Sequence, residues 1–291
     1  MLRIGIVGSE NSHTGAFARI LNVTKRLPGA KVVALWGEEE EHTAKVAADC
    51  LIPEIVRRPE DLIGKVDAAI VDHRHPKYHV PAATPLVEAG IPVLVDKPFS
   101  YTVDEGKELL RLAKKKKVVV TSYSCVRYAP GFRRVHQARK KLAPIIAADF
   151  VGPCDIESQY GGVFFYGVHQ TEMMVDALGV GAESVTFTRG SGGSHSATVV
   201  YGGGGPVVTL HLLTGFHGKF GWGLYGAAGA VHEKLYYQGL YLRGLEAFLR
   251  MVATGKNDWS PEQILTSVAV LAAIDRAIKS GRQEAVESVS L

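Results

Sequence analysis

The chain has 291 residues, a formal net charge of +4 at pH 7, and 46% hydrophobic against 21% charged residues. This length suits two domains, the composition is that of a globular protein, and the mild charge predicts no nucleic-acid partner. No apolar stretch reaches the length of a membrane span or a signal-peptide core, so we expect no membrane partner and a cytoplasmic protein. Its three cysteines lack CxxC spacing, which fits reduced thiols in that compartment.

The first half of the chain alternates short apolar strands with amphipathic helical segments. The predicted strands are Arg3–Val7, Lys31–Trp36, Ile55–Val56, Ala68–Val71, Val93–Val95 and Val118–Thr121. Helices are predicted from the first turn to about Leu27 and over Glu39–Asp49, Tyr78–Ala89 and Val103–Lys117. This alternation predicts an α/β fold with a doubly wound parallel sheet of the Rossmann type, over residues 1–121.

The second half has a different pattern. Helices are predicted at Ala129–Lys141, Val163–Leu178 and Leu240–Thr254, and from the N-cap Ser260 to about Ser280. Strands are predicted at Ile145–Phe150 and, separated by glycines, between Ser184 and Tyr237. Residues 122–291 are therefore predicted to form an α+β domain with a large open, mainly antiparallel sheet.

The predicted strands of this second sheet carry many apolar residues. We expect them on both faces of the sheet, and they are Val185, Phe187, Val199, Val207, Val208, Leu210 and Leu212. Helices can cover only one face, so the other is expected to bury against a second copy of the chain. The sequence therefore predicts a homodimer or homotetramer assembled through this sheet.

The strand Val93–Val95 ends abruptly in Asp96, Lys97 and Pro98. In parallel α/β sheets, ligands bind outside the carboxyl ends of the strands. Because Pro98 restricts the backbone of Lys97, this lysine is a candidate acid, base or anion anchor. An exposed lysine on an ordinary loop is the alternative interpretation of these residues alone.

Several stretches, in this order, resemble the glucose-fructose oxidoreductase, inositol dehydrogenase and rhizopine-catabolism (Gfo/Idh/MocA) family. They read RIGIVG, VDAAIVD, EAGIPVLVDKPFS, SYSCVRYAPGF, GGVFFYGVHQ and SPEQILTSVAVLAAIDRAI. The resemblance implies a Rossmann domain, a second domain with an open sheet, and oxidation or reduction of hydroxyl groups on sugars and polyols with NAD or NADP. A small-molecule substrate is therefore expected.

The resemblance also implies roles for individual residues. Lys97 matches the family lysine that contacts cofactor and substrate, and His169 matches the histidine that accepts the proton of the substrate hydroxyl. The expected cofactor-binding residues are Gly8, Ser9, Asn11, Ser12, Glu38, Asp72, His73, Asp96 and Lys97. The expected substrate-binding residues are Arg127, Tyr160 and Tyr166.

The glycine fingerprint for a dinucleotide is incomplete. After Gly8, the second and third glycine positions carry Glu10 and His13. A carboxylate at the second position is expected to repel the diphosphate and to weaken dinucleotide binding, unless it turns away or is neutralised. The acidic residue expected after the second strand falls near Gly37, with Glu38 beside it as the candidate ribose ligand.

The family's aspartate four residues before the histidine is Phe165 in this chain. Such a carboxylate would orient or polarise the site, and a phenylalanine cannot. Tyr166 is adjacent but need not face the site.

The strand Ala68–Val71 runs into Asp72, His73, Arg74 and His75. The resemblance would bring Asp72 and His73 together with four further residues: Glu10, His13, Asp96 and His169. Carboxylates and imidazoles can bind zinc or a similar cation, but a polyhydroxylated ligand would need the same side chains. Because the spacings match no known metal signature, we assign no metal ligand.

Three functions remain open at this stage. The first is an NAD(P)-dependent oxidoreductase acting on a sugar, polyol or related hydroxy compound. The second is a relative without redox chemistry that binds a small polar ligand or metal as a sensor or accessory protein. The third is a lyase or hydrolase that uses Lys97, His169 and the cluster Asp72–His75 for acid–base work. The intact Lys97 and His169 favour an enzyme, whereas Glu10, His13 and Phe165 indicate changed cofactor use.

Overall fold

A computed structural model describes residues 1–291, and the chain divides into two compact units. The first unit comprises Met1–Ser100, Asp104–Tyr123 and Tyr241–Ser260. The second unit comprises Tyr101–Val103, Ser124–Leu240 and Pro261–Leu291. None of the helices combines the length and the hydropathy that crossing a bilayer requires.

Each predicted domain was a single continuous stretch, and the return of Tyr241–Ser260 to the first unit was not anticipated. Specific contacts hold this segment in place. The Tyr123 hydroxyl donates to the Gly244 carbonyl at 2.7 Å, and the Asn257 amide donates to the Val120 carbonyl at 2.8 Å. Partners so far apart in sequence leave no local pattern, which is why a single boundary was predicted.

The sheet of the first unit has six parallel strands, in the order β3-β2-β1-β4-β5-β6. The strands are β1 Leu2–Val7, β2 Ala30–Trp36, β3 Glu54–Ile55, β4 Ala68–Val71, β5 Val93–Val95 and β6 Val120–Ser122. The helices of the unit are α1 Ser12–Ala18, α2 Glu40–Asp49, α3 His79–Glu88, α4 Val103–Lys116 and α8 Leu240–Thr254. The predicted Rossmann-type sheet is confirmed.

The first helix ends earlier than the predicted end near Leu27. After α1 the chain continues as one π-helical segment, Arg19–Val23, and Lys25 then adopts a left-handed φ of 51°. The Asn22 side chain donates to the Val32 carbonyl and accepts from the Val32 amide, both at 2.9 Å. These two hydrogen bonds hold the end of the helix against β2, so the helical segment ends at Val23 although the predicted helix continues to Leu27.

The sheet of the second unit has seven strands, in the order β12-β11-β7-β10-β9-β8-β13. Only the β7–β10 pair is parallel, which agrees with the predicted mainly antiparallel sheet. The strands are β7 Ile145–Pro153, β8 Ala182–Arg189, β9 Ser194–Tyr201, β10 Val207–Leu213, β11 Gly221–Gly226, β12 Gly229–Lys234 and β13 Glu284–Ala285. The helices are α5 Pro130–Arg133, α6 Val135–Leu142, α7 Phe164–Leu178 and α9 Pro261–Ser280.

The two faces of this second sheet differ in a way that the sequence pattern did not reveal. Val185, Val199 and Val208 are in register across three strands and are fully buried. Phe187, Leu210 and Leu212 share that face by strand alternation, so of the seven expected apolar residues only Val207 lies on the other side, 46% exposed.

The opposite face carries a row of hydroxyl groups in register, formed by Thr186, Thr198 and Thr209. Six of the seven apolar residues on which the predicted oligomer rested thus lie on the buried face, and the other face exposes the cross-strand pair Val200 and Val207 beside these hydroxyl groups. Assembly through the polar face stays a prediction.

Candidate active site

The turn after β1 approaches the end of β4 very closely. Gly8 has a φ of 105°, and a Cβ there would lie 2.8 Å from the Asp72 carbonyl carbon and oxygen. Only glycine tolerates both conditions, so the first glycine of the fingerprint keeps its usual structural role. Ser9 is buried beside it, whereas Ser12 begins α1 and is exposed.

Side chains of this turn bind the residues that follow β4 and β5. Asn11 Nδ2 donates to Asp72 Oδ1 at 2.9 Å and to Asp96 Oδ2 at 3.0 Å. His13 Nδ1 lies 3.0 Å from Asp96 Oδ1. These four residues and Thr14 form what we call the carboxylate network, which consists of Asn11, His13, Thr14, Asp72 and Asp96. It brings together three of the predicted cofactor-binding residues: Asn11, Asp72 and Asp96.

Thr14 indicates where a proton sits in this network. Its hydroxyl oxygen lies 2.6 Å from the Gly8 carbonyl oxygen and 2.5 Å from Asp72 Oδ2. One hydroxyl carries one proton, and a carbonyl oxygen cannot donate. Both contacts are satisfied if a protonated Asp72 donates to Thr14 and Thr14 donates to Gly8. Burial, followed by the charge of Asp96, raises the pKa of Asp72 well above its usual range, in agreement with this assignment.

Asp96 carries the negative charge of the pair. Burial opposes ionisation, but the charge and hydrogen bond of His13 and the charge of Lys97 outweigh it, so the pKa of Asp96 falls below its usual range. Two neighbouring buried carboxylates thus share one proton and one charge.

His13, Asp72 and Asp96 could each offer one metal-ligating atom, and these atoms lie within 4.8 Å of one another. The Asn11 amide group, however, points N–H donors at both carboxylates, in the space that a cation would need. The network is hydrogen-bonded as it stands, so the cluster carries no metal assignment. Of the other residues expected with it, Glu10 and His73 have separate partners and His169 belongs to the second unit.

Glu10 does turn away, as one sequence-based alternative required. Its carboxylate accepts hydrogen bonds from the Ser9 amide and hydroxyl and from the backbone amides of Glu38 and Glu39, at 2.7–3.0 Å. Although burial opposes ionisation, these bonds hold the pKa of Glu10 below its usual value. The carboxylate is fixed at the end of β2 and is not a loose charge, so the expected repulsion of the diphosphate loses its basis.

His73 lies among aromatic rings at the carboxyl end of β4. Its ring centroid is 5.7 Å from those of Trp36 and Tyr78, and its Nε2 is 3.8 Å from the Glu38 carboxylate. Burial, with the nearby His79, lowers the pKa of His73 to about 4, so the ring is neutral at pH 7. Its Nδ1 is buried without a hydrogen-bond partner, which is the kind of atom that a bound ligand would satisfy.

Lys97 follows β5 directly, as predicted, but it is 4% exposed and not a solvated loop residue. The buried His79 lies against its loop, with Nδ1 2.7 Å from the Pro98 carbonyl oxygen and Nε2 2.8 Å from the His73 carbonyl oxygen. Burial lowers the pKa of His79, and the neutral ring has one N–H, which donates to one of these two carbonyls. The imidazole thereby links the loop after β4 to the loop after β5. A lysine in so constrained a setting is suited to a defined contact.

In the second unit, His169 stands in the second turn of α7 and is 7% exposed. Its Nδ1 lies 2.7 Å from Ser124 Oγ, and the Ser124 amide donates to the Glu172 carboxylate at 2.5 Å. We call these three residues the histidine network. When Nδ1 donates its proton to Ser124, Nε2 is left as the basic nitrogen.

Arg127 is 1% exposed, which does not suit the predicted contact with substrate. Its Nε lies 3.3 Å from an Asp176 oxygen and its Nη1 lies 3.6 Å from the Glu172 carboxylate. His136 pairs with the other Asp176 oxygen at 3.2 Å. The arginine therefore holds α7 in place through Glu172 and Asp176, and the structure favours a positioning role for it.

Phe165 joins a row of rings around His169. Tyr160 and Phe165 have centroids 4.9 Å apart, Phe165 and Tyr166 5.0 Å, and Tyr166 and His169 5.4 Å. Phe220 closes the row at 4.8 Å from His169. Tyr160 and Tyr166 are partly exposed, in keeping with their predicted contact with substrate. Where the family has a carboxylate, this chain thus presents an aromatic surface.

Sequence reasoning missed Thr14 and Ser124. Thr14 occupies the position after the third fingerprint residue, where the missing glycine drew attention to His13 alone. Ser124 follows β6 by two residues, and a polar residue just beyond a parallel strand was the signal that could have identified it.

Residues 2–124 match the model of the GFO_IDH_MocA family, which is described as an oxidoreductase family with an NAD-binding Rossmann fold. Over these residues the chain resembles the Gfo/Idh/MocA oxidoreductase family. The predicted resemblance is confirmed over residues 2–124, together with the Rossmann fold of this part of the chain.

Curated relatives align with this chain over part of their length. Inositol 2-dehydrogenase of Corynebacterium glutamicum is 29% identical over 39% of this chain and 33% of its own length. Protein YMR315W of Saccharomyces cerevisiae is 23% identical over 65% of this chain and 58% of its own length. The chain therefore spans about half the length of the second relative and a third of the first.

Solved structures of similar proteins cover the whole chain. Myo-inositol dehydrogenase from Lactobacillus casei, in complex with NAD(H) and myo-inositol, has a TM-score of 0.84 at 15% identity and covers 100% of this chain and 98% of its own. A probable dehydrogenase from Thermotoga maritima has a TM-score of 0.84 at 16% identity and covers 99% and 100%. At these identities the likeness shows the fold.

Proposed function

We propose that this protein is an NAD-dependent oxidoreductase that acts on a hydroxyl group of a polyol, sugar or related small polar compound. The observation that carries the proposal is that Lys97 and His169, the residues matching the family's reactive pair, are both buried in structured settings. Residues kept only as remnants on a surface would not need the bracing that His79 and Ser124 provide.

The first unit offers a fitting set of groups for the dinucleotide. Gly8 makes the close turn, Ser9 and Asn11 line it, and His73 presents an unsatisfied buried nitrogen beyond β4. The Asp72 and Asp96 pair carries a single negative charge, which limits repulsion of the diphosphate. When bound, NAD⁺ accepts a hydride from the carbon that bears the hydroxyl.

We assign the hydroxyl proton to His169. Nε2 takes the proton while Ser124 holds Nδ1, and the imidazolium so formed is stabilised by the nearby Glu172 carboxylate, which bonds the Ser124 amide. Lys97 is assigned to the cofactor side, where its ammonium orients the nicotinamide and the reacting oxygen. The rings of Tyr160, Phe165 and Tyr166 supply the apolar part of the substrate surface.

The test is an assay of the purified protein with NAD⁺ and a panel of inositols, sugars and linear polyols, following the absorbance of NADH. At least one compound should be oxidised, and Lys97→Ala should lower turnover on it by on the order of a hundredfold or more. The melting temperature of the variant has to be measured beside its turnover, because Lys97 is buried and its charge helps to keep Asp96 ionised.

The proposal fails if neither NAD⁺ nor NADH changes the protein's fluorescence or melting temperature and no compound is turned over. Binding of a polyol without any dinucleotide would instead support the non-redox alternative. Turnover that Lys97→Ala leaves unchanged would remove the role assigned to this lysine but not the reaction.

A further inference from the structure

The Glu10 carboxylate fills a ring of hydrogen-bond donors at the end of β2. Its Oε1 accepts from the amide nitrogens of Glu38 at 2.7 Å and Glu39 at 3.0 Å, and from the Ser9 hydroxyl at 2.8 Å. Its Oε2 accepts from the Ser9 amide at 2.9 Å. Converging backbone amides of this kind bind anions, including phosphate groups. In this chain the anion is a side chain of the protein itself.

The position after β2 that usually carries the ribose-binding acidic residue is Gly37, and no side chain fits there. In dinucleotide-binding units, an acidic residue after the second strand bonds the ribose 2′-hydroxyl. At Gly37 a Cβ would lie 2.1 Å from both Ser9 Oγ and Thr43 Oγ1, and these two oxygens are themselves 2.9 Å apart. Any side chain at Gly37 would break this contact.

Glu38, the predicted ribose ligand, also has another neighbour. Its carboxylate is 44% exposed and lies 3.8 Å from His73 Nε2. The carboxylate held firmly at the end of β2 is that of Glu10, which reaches the place from the turn after β1. The glutamate that interrupts the glycine fingerprint thus stands where the missing ribose ligand would act.

We infer that Glu10 selects a dinucleotide with a free 2′-hydroxyl on its adenosine ribose, that is, NAD over NADP. The inference deepens the proposed function and rests on it. The carboxylate can accept the ribose hydroxyl, while it already occupies the amides that a 2′-phosphate would need. A phosphate would have to displace it and would meet its charge.

Two cations affect the preference between a ribose hydroxyl and a 2′-phosphate. Arg74 and Lys77 lie close enough to Glu38 to influence its ionisation, and an arginine near the ribose is the usual partner of a 2′-phosphate. Their attraction acts against burial and against the charges of Glu10 and Glu39, and the pKa of Glu38 is raised on balance. The environment of Glu38 is therefore already unfavourable to added negative charge, despite the two cations.

The experiment is calorimetric titration of the purified protein with NAD⁺ and NADP⁺, and with ADP-ribose and its 2′-phosphate, which lack the nicotinamide. We expect NAD⁺ and ADP-ribose to bind at least about tenfold more tightly than their phosphorylated counterparts. Glu10→Ala should weaken NAD⁺ binding and strengthen NADP⁺ binding, because it empties the ring of amides. Glu10→Gln, which keeps an oxygen for the amides, should show the same direction with a smaller change.

Glu39→Gln is the matched control. It removes one charge from the same corner, but the Glu39 side chain makes no capping hydrogen bond and only its backbone amide contacts Glu10. The preference should therefore persist in this variant.

Equal affinity for NAD⁺ and NADP⁺ in the wild-type protein would overturn the inference and leave the proposed function standing. So would a preference that Glu10→Ala and Glu10→Gln leave unchanged. Binding of neither dinucleotide would overturn both, which separates the two failures. Melting temperatures of all variants establish that the titrated protein is folded.

Discussion

The carboxylate network of the first unit and the histidine network of the second neutralise buried charge by different means. In the first, a proton on Asp72 leaves one negative charge for two carboxylates. In the second, the carboxylates of Glu172 and Asp176 lie against the guanidinium of Arg127, which helps to lower the pKa of Asp176 although burial opposes its ionisation. A protonated carboxylate is sensitive to pH in a range where an arginine is not.

The two networks also repair different departures from the family pattern. His13 stands at the third glycine position and contacts Asp96, and Ser124 bonds a histidine that has Phe165 where the resembled family has an aspartate. Thr14 and Ser124 come from positions that the family motif does not specify, whereas His13 occupies one of its glycine positions. The lesson is that a lost motif residue is poor evidence for a lost site until the side chains around it are known.

The largest effect should come from His169→Asn. An amide cannot take up the hydroxyl proton, so kcat should fall on the order of 10²–10⁴-fold. Single-turnover measurements with saturating substrate would check this, and the melting temperature should change little because Asn can still bond Ser124. If kcat is unchanged, the histidine network has a structural role only, and it cannot be compared with the carboxylate network as part of a reactive site.

Arg127→Met should be the most destabilising substitution of those considered. It leaves Glu172 and Asp176 buried without their guanidinium, which costs about 3–5 kcal/mol in comparable buried pairs. Urea unfolding would measure it. The control is Arg189→Met, since Arg189 and its partner Glu157 are 52% and 74% exposed and such pairs contribute about 0–1 kcal/mol. Similar losses for both variants would contradict the buried ion pair.

Asp72→Asn should flatten the dependence of stability on pH. The folded pKa of Asp72 is raised, so its favourable contribution is present below the unfolded pKa of about 3.9 and is lost as pH rises toward the folded value, by about 1.4 kcal/mol per pH unit. Asparagine can replace the protonated acid, donating to Thr14 and accepting from Asn11. Unfolding free energies measured upward from pH 4 should therefore decline less in the variant.

Asp96→Asn is the matched opposite within the same network. The folded pKa of Asp96 is lowered, so its stabilisation is present above the unfolded pKa and disappears on acidification. The variant should lose stability at pH 7 and converge on the wild type in acid. If the stability of the two variants depends on pH in the same way, the assignment of the proton to Asp72 and of the charge to Asp96 is wrong.

Ser124→Ala should have the smallest effect. One hydrogen bond to Nδ1 is lost, worth about 0.5–1.5 kcal/mol, so kcat should fall about two- to tenfold with KM unchanged. Ser124→Thr, which keeps the hydroxyl, should restore part of the rate. A rise in KM together with the fall in kcat would indicate that Ser124 contacts the substrate instead.

The fold was largely readable from the sequence because period and spacing are local properties. The six strands of the first sheet and the placement of Lys97 after β5 followed from apolar runs ended by polar residues. The sidedness of the second sheet did not, because strand register decides which apolar residues share a face. The orientation of Glu10 was also beyond prediction from the sequence. Its position in the motif predicted repulsion of the diphosphate, but two of its four hydrogen-bond donors are backbone amides nearly thirty positions later, which no local pattern reveals.

The discontinuity of the first unit has a consequence for how the protein is made. Its sheet is complete in sequence at Ser122, yet Tyr123 needs Gly244, His13 contacts Tyr241 with ring centroids 5.1 Å apart, and Asn257 binds Val120. During synthesis on the ribosome, these partners emerge only after more than a hundred further residues. The first unit therefore stays incomplete until residues 241–260 have been synthesised, and a fragment ending near residue 123 should expose apolar surface and attract chaperones.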